Sequence, residues 1–236
     1  MKRVMLLSVA MMLAWTALAR AEEKIEAPKN DQGAYVLFNG KDLSGWEGDA
    51  KFWSVKDGCI TGSTKENKTN GNTFLIWRGG KVKDFELRVM WRLENHNSGI
   101  QYRSKDLGNF VVGGYQADMD GGNNYTGICY EERGRGIIAQ VGQKVELNEN
   151  EKPKAVGSTG DAKEIKAGIK KAGEWNEYIV TARGNHLVQK LNGNVTVEIT
   201  DNDTKKRMME GILALQLHAG EPMLVQFKEI TLKVLE

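Results

Sequence analysis

Side chains able to hold and move protons recur at every second position in three short stretches of the chain. Across residues 113–120, alternation sets Gln116, Asp118 and Asp120 on one face, opposite Tyr115, Ala117 and Met119. Across residues 98–104, Gln101 and Arg103 point away from Ile100 and Tyr102. Across residues 213–218, Ala214, Gln216 and His218 point away from Leu213, Leu215 and Leu217. If these stretches are neighbouring strands, their polar faces merge into one cleft of carboxylates, amides, a guanidinium and an imidazole. Such a set binds hydroxyl-rich ligands and supports general acid–base chemistry. The competing reading is a solvated sheet face whose polar residues are incidental.

His218 is the leading base candidate, because strand parity puts it beside Gln216 on that face. His96, in the turn-like Asn95-His96-Asn97, and His186, beside Gly184-Asn185, read as surface residues. Residues 125–137 add Tyr130, Glu131, Glu132, Arg133 and Arg135 among three glycines. Glycine there admits close backbone approach and arginine can fork onto oxygens, with a charged hairpin as the alternative. No Gly-Lys-Ser/Thr sequence is present, so a phosphate loop is unsupported. An EF-hand starting at Asp118-x-Asp120-Gly121 fails, since its sixth position is Asn123 and its twelfth Cys129. A looser divalent-metal site drawn from Asp118, Asp120, Glu131 and His218 stays open.

The elements that must position these groups are strands. Phe85, Leu87, Val89, Trp91 and Leu93 alternate with Glu86, Arg88, Met90 and Arg92. Residues 175–183, 213–218 and 224–235 read as further strands. Residues 186–191 and 195–199 form a hairpin around Asn192-Gly193, where glycine supplies a positive φ. The polar, Lys- and Gly-rich residues 143–173 read as a long excursion, with a short helix within 161–171. Many short strands with frequent glycine turns predict an all-β, antiparallel two-sheet sandwich or jelly roll. Trp46, Trp53, Trp77, Trp91 and Trp175 are candidates for its core.

At the N-terminus, Lys2 and Arg3 precede an apolar run from Val4 to Leu18, followed by Ala19-Arg20-Ala21. This pattern predicts a signal peptide over residues 1–21, cleaved after Ala21, and a periplasmic or secreted protein free of the membrane. An uncleaved anchor is the alternative, but the run is short of the roughly 20 residues of a membrane span. Residues 22–33 read as a linker and 34–236 as one domain. The chain carries 33 Lys+Arg and 31 Asp+Glu; cleavage removes Lys2, Arg3 and Arg20, leaving 30 basic and 31 acidic residues. That balance disfavours nucleic acid as a partner and suits a small uncharged carbohydrate. Export permits a Cys59–Cys129 disulfide; two buried thiols are the alternative.

A series of short motifs also runs through the chain in order. It opens with Leu37-Phe38-Asn39-Gly40-Lys41-Asp42-Leu43-Ser44-Gly45-Trp46, then Trp53-Ser54-Val55 with Asp57-Gly58, Asp84-Phe85-Glu86-Leu87, and Asn97-Ser98-Gly99-Ile100 with Arg103. Gly114-Tyr115-Gln116, Thr126-Gly127, Glu174-Trp175-Asn176, Leu191-Asn192-Gly193 and Leu215-Gln216-Leu217-His218 follow. Taken together, from about residue 35 to 234, the series resembles the 3-keto-disaccharide hydrolase family. The resemblance implies a concanavalin A-like jelly roll of the lectin and glucanase type, whose concave sheet is the carbohydrate surface. It also implies action on glycosides already oxidised at C3. The charged residues 130–136 depart from the less charged loop of many relatives, a departure consistent with a different substrate.

A ketone at C3 acidifies the C2 proton and disfavours an oxocarbenium ion at C1. The expected route is C2 deprotonation, an enediolate, and β-elimination of the C1 substituent, with or without rehydration to net hydrolysis. Glucanases of this fold carry Glu-x-Asp-x-(x)-Glu on one strand; Gln116 at the first position here cannot be a carboxylate nucleophile. The roles expected are His218 as base, Arg103 or a divalent metal on the enolate, and Asp118 or Glu131 as acid or metal ligand. Gln101, Gln116, Asn176 and Gln216 would orient hydroxyls, with Asp120, Tyr130 and Arg133 completing the substrate contacts. A carbohydrate-binding module without catalysis uses the same fold and face, and is the alternative function. A purely structural envelope protein would need no converging polar cluster.

Overall fold

β-Branched and aromatic residues at alternate positions favour extended chain, and the turns between them fall on Gly, Asn and Asp. The computed structural model describes residues 25–235, so the signal peptide expected over residues 1–21 lies outside the described residues. In chain order the strands are β1 (Tyr35–Val36), β2 (Trp46–Glu47), β3 (Trp53–Lys56), β4 (Cys59–Ser63), β5 (Thr73–Trp77) and β6 (Phe85–Leu93). Then come β7 (Asn97–Asp106), β8 (Val112–Asp120), β9 (Cys129–Glu132), β10 (Gly136–Ala139), β11 (Gln143–Leu147) and β12 (Lys154–Ser158). A short helix, α1 (Ala162–Ala167), precedes β13 (Asn176–Arg183), β14 (His186–Leu191), β15 (Asn194–Asp201), β16 (Ile212–Leu217) and β17 (Leu224–Val234).

These strands form two sheets. The first has ten strands in the order β12-β11-β15-β14-β13-β6-β17-β4-β3, with β1 also on β17; the second runs β10-β9-β8-β7-β16-β5-β2. Their inner faces make one core. Phe85, Leu87, Val89, Trp91 and Leu93 of β6 are all buried there, as are Ile100, Tyr102, Tyr115, Ala117, Met119, Leu213, Leu215 and Leu217 of the second sheet. Trp46, Trp53, Trp77 and Trp91 join this core, whereas Trp175 is half-buried with Arg92 and Lys228 over its ring. The turn at Asn192 (φ 48°) and Gly193 (φ 86°) takes the left-handed conformation that matches strand twist.

The region read as an excursion is better ordered than its composition suggests. β11 lies parallel to β15, burying Val145 and Leu147, and β12 pairs with β11 as an edge strand whose five residues are all exposed. An edge strand without a buried face leaves no apolar alternation to read. Asp161 caps α1 by accepting from the Lys163 and Glu164 N–H groups, at 2.8 and 3.0 Å. Part of the segment read as a linker is docked: Glu26 N–H donates to Gly79 O at 2.7 Å, and Ile25 and Ala27 pack on the core. Cys59 on β4 and Cys129 on β9 are buried free thiols.

Candidate active site

The three polar stretches are neighbours. β8, β7 and β16 lie side by side, with β9 flanking β8. Register places Gln101 opposite Gln116 and Asn97 opposite Asp120 across β7–β8, and Tyr130 opposite Gln116 across β8–β9. On the outer face of this sheet, Phe74, Ile76, Val112 and Ala214 close into a small apolar cluster at one end. The other end opens as a cleft of about 430 Å³, within the usual range for small-molecule sites. Gln116, Asp118, Asp120, Tyr130, Gln216 and His218 line it as expected, joined by Asn72, His96, Asn97, Tyr125, Ile128, Glu132 and Ile137.

Asp118 lies on the cleft floor with only 5% of its surface exposed. Asn97 Nδ2 donates to its Oδ1 at 2.6 Å and Gln116 Nε2 to its Oδ2 at 3.0 Å. Burial nonetheless pushes its carboxyl up to about 7; the two hydrogen bonds oppose the rise, and the Asp120 and Glu132 charges add to it. Gly99 permits this floor, since a Cβ there would stand 2.3 Å from the Gln116 side chain. Glu132 receives Gln216 Nε2 at 3.2 Å and is also raised, chiefly by burial, with hydrogen bonds and the Arg133 and His218 charges opposing. The Gln216 Oε1 atom is buried and unpartnered among the described residues.

The two histidines are tethered to one carbonyl. His218 Nδ1 lies 2.6 Å and His96 Nε2 2.9 Å from Ala219 O, and the rings meet edge-on with centroids 4.7 Å apart. A carbonyl only accepts, so both nitrogens must carry protons when they bond to it. In the neutral rings this leaves His218 Nε2 and His96 Nδ1 as the free lone pairs. Asn72 Oδ1 holds the Ala219 N–H at 3.0 Å, and Gly220 (φ 127°) leaves room for His96, whose Nε2 would lie 2.5 Å from a Cβ.

Five expected site residues lie elsewhere. Arg103 follows a shift of register between Tyr102 and Lys105 and has φ 45°. A bulge of this kind reverses parity, so the side chain turns inward instead of into the cleft. It is fully buried, paired with Asp84 at 2.8 Å and donating to Lys83 O and Gly184 O. Glu131 shares the inward parity of Cys129 and is held by Arg135, which also binds Asp201 at 2.6 Å. Gln101 is buried beneath Gln116, its amide within 2.6 Å, and so supports the floor rather than lining it. Arg133 (φ 55°) is exposed at the β9–β10 turn. Asn176 belongs to the opposite sheet, where its Oδ1 accepts from Lys170 N–H and Asn192 Nδ2.

Asn72, His96, Asn97 and Tyr125 line the cleft although the sequence reading gave them no site role, and Glu132, named there among residues 125–137, was passed over in favour of Glu131. Parity held the signal for Glu132, two residues after Tyr130, and for Asn97, four before Gln101. His96 had none, because its place depends on Ala219 and Gly220, over 120 residues away. The metal candidates Asp118, Asp120 and His218 share the cleft but Glu131 does not. Among the described residues no group of three His, Cys, Asp or Glu side chains is arranged to hold a metal ion. The four expected ligands therefore do not come together as one set.

Residues 33–233 match the family model of the 3-keto-alpha-glucoside-1,2-lyase-like domain. A 3-keto-disaccharide hydrolase of Bacteroides thetaiotaomicron is 30% identical over 111 residues, a match spanning 42% of this chain and 37% of that protein. Among solved structures, a candidate glycosyl hydrolase of Parabacteroides distasonis superposes with a TM-score of 0.57 at 18% identity, covering 86% of this chain and 99% of the other. A Bacillus subtilis protein of unknown function with a galectin-like fold gives 0.56 at 10%, covering 90% and 98%. The carbohydrate-binding module CBM66 of Bacillus subtilis gives 0.52 at 13%, covering 80% and 95%. At these identities the structures establish the jelly-roll sandwich and no more.

Proposed function

Since this chain belongs to the 3-keto-alpha-glucoside-1,2-lyase-like domain family, we propose that it cleaves 3-keto-glycosides by C2 deprotonation and β-elimination, with or without rehydration. The observation that carries this reading is the pairing, in one cleft, of an imidazole with a pinned tautomer and a carboxyl that keeps its proton to about 7. His218 Nε2 takes the C2 proton, and the electron pair moves onto the C3 oxygen as an enolate. Tyr130 replaces the inaccessible Arg103 as the donor to that oxygen; burial and the Glu132 and Asp118 carboxylates raise its phenol, which keeps its proton. The enolate collapses, the C1–O bond breaks, and Asp118 protonates the departing oxygen. For net hydrolysis, the Asp118 carboxylate takes a proton from water as its oxygen adds to C1, and His218 returns its proton to C2. The unpartnered Gln216 Oε1 is a waiting acceptor for a sugar hydroxyl.

The leader expected over residues 1–21 would place this activity in the periplasm or outside the cell. Among the described residues no helix is long and apolar enough to cross a membrane. A second reading has a specific basis: Asp118 and Glu132 give the cleft a carboxylate pair, the equipment of an ordinary glycosidase. Paired native and 3-oxidised glycosides separate the two. Cleavage of the oxidised member alone, with His218→Asn lowering kcat by about 10²–10⁴, is the expected result. Turnover of the native sugar favours the carboxylate pair, and tight binding of either sugar without turnover favours a carbohydrate-binding module. Near-full turnover by His218→Asn removes the base assignment.

A further inference from the structure

A second cleft, of about 410 Å³, adjoins the first and shares Glu132 with it. Its charge is opposite. Lys105, Arg133, Arg135, Lys205 and Lys206 line it, against Glu131 and Glu132. The first cleft holds the carboxylates of Asp118, Asp120 and Glu132 and neither Lys nor Arg. Composition does not explain this segregation, because the whole chain is almost balanced at 33 basic and 31 acidic residues.

The acids of the second cleft offset its exposed cations only in part, through the Arg133 charge acting on Glu132. Glu131 is bound to Arg135, whose other contact is the buried Asp201. Glu132 faces Gln216 in the first cleft. Lys205 pairs with Glu149 at 2.9 Å, but Lys105, Arg133 and Lys206 make no ion pair among the described residues. Lys105, Arg133 and Lys206 thus line one cleft without a direct ion pair, Arg133 acting on Glu132 through its charge alone, and an anionic ligand would supply the missing partner. Gly113, Gly114 and Gly134 also line it, and internal packing accounts for two of them: a Cβ at Gly114 (φ 147°) would meet Ser104, and one at Gly134 the Glu131 side chain, each at 2.5 Å. From Asp118 to Gly114 along β8 is about 13 Å at the usual strand rise, roughly the reach of a second sugar unit.

We infer that this cleft is the subsite for the leaving group, and that the preferred substrates are 3-keto-glycosides whose leaving group carries a carboxylate or comparable oxyanion. The inference rests on the catalytic reading of the first cleft. The 3-keto ring sits over Asp118 and His218, and the C1 substituent passes Glu132 towards Lys105, Arg133 and Lys206.

The test uses two 3-keto disaccharides differing only in the second sugar, one carrying a C6 carboxylate and the other the neutral hydroxymethyl group. The expected result is a higher kcat/KM for the anionic member, carried mainly by KM and shrinking as salt rises from 20 to 500 mM, conditions that screen exposed charge. In the Lys105→Ala/Lys206→Ala double variant, the anionic-to-neutral ratio should fall about fivefold to tenfold, with the melting temperature reporting that the variant folds. Equal kcat/KM for the two sugars, or an unchanged ratio in the folded variant, overturns the subsite. Failure to cleave either sugar instead overturns the catalytic reading, so the two failures are distinguishable. Salt-independent preference for the anionic sugar also counts against the subsite, since it would show recognition that does not use exposed charge.

Discussion

Glu131 and Glu132 are adjacent in the chain and opposite in fate. Glu131 points between the sheets, where Arg135 and Asp201 complete a buried ionic cluster that Tyr115 joins through its hydroxyl, 2.5 Å from Asp201. Glu132 points outward into a cleft whose other carboxylates have no Lys or Arg beside them. Glu131 is matched by a direct ion pair; the outward carboxyls make none, being held by amides, with the Arg133 and His218 charges acting on Glu132 alone. A matched buried charge contributes by not being broken, since losing one partner leaves the other uncompensated in a low dielectric. An unmatched carboxyl in a cleft keeps its proton to higher pH, and that is the property a general acid needs. The two sides of one short strand thus separate stability from chemistry.

Four predictions, on three variants, bear on this contrast. The largest effect belongs to Asp118→Asn, which removes the proposed acid. A fall in kcat of about 10²–10⁴ on a 3-keto-glycoside is expected, together with loss of the alkaline fall in wild-type activity near pH 7. A variant with wild-type kcat and pH profile would end Asp118's role. Next is Arg135→Leu, which strands Glu131 and Asp201. It should cost about 3–5 kcal/mol in denaturant melts, while the protein that remains folded keeps most of its kcat. A loss of kcat out of proportion to unfolding would show that the two sides are coupled.

The third concerns pH and stability. Asp118 has a folded pKa of about 7, above its ordinary 3.8. The folded state therefore binds more protons than the unfolded state between those values. Its contribution is most favourable below pH 4, is lost as pH rises through 7, and is constant above that. Asp118→Asn should accordingly melt higher than wild type at pH 8, by a margin on the order of 4 kcal/mol at most, and show no such gain at pH 4. An equal difference at both pH values would contradict the burial argument. The smallest effect is expected from Tyr125→Ala. Its ring is 49% exposed at the cleft rim, and removal of a stacking face should raise KM about threefold to tenfold, in keeping with about 0.5–1.5 kcal/mol for such a contact. An unchanged KM would take Tyr125 out of the binding surface.

Much of the sandwich was legible in the chain. The period-two pattern of β6 and the three leucines of β16 announced an inner face, and Gln116, Asp118, Gln216 and His218 announced the outer one. Failures of legibility have specific physical sources. Arg103 was misplaced because a register shift reverses parity for the residues after it. Glu131 was preferred to Glu132 although parity with Tyr130 pointed the other way. β12 was missed because an edge strand exposed on both faces has no apolar period. His96 read as a surface turn residue because its partner, the Ala219 carbonyl, lies on a distant segment.

The amino-acid sequence by itself determined which residues face inward or outward along each regular strand, because side-chain direction in a strand is a local consequence of pleat. It also determined the near-neutral balance and the leader-like N-terminus. Tertiary structure decided which outward faces meet, since that depends on strand order and register set by packing across the whole core. It alone gathered His96 to His218, lowered Asp118 into a cleft dry enough to keep its proton, and sent Arg103 and Glu131 into the interior. A bulge, a shared carbonyl and a local dielectric are properties of assembled segments, and no single stretch of chain contains them.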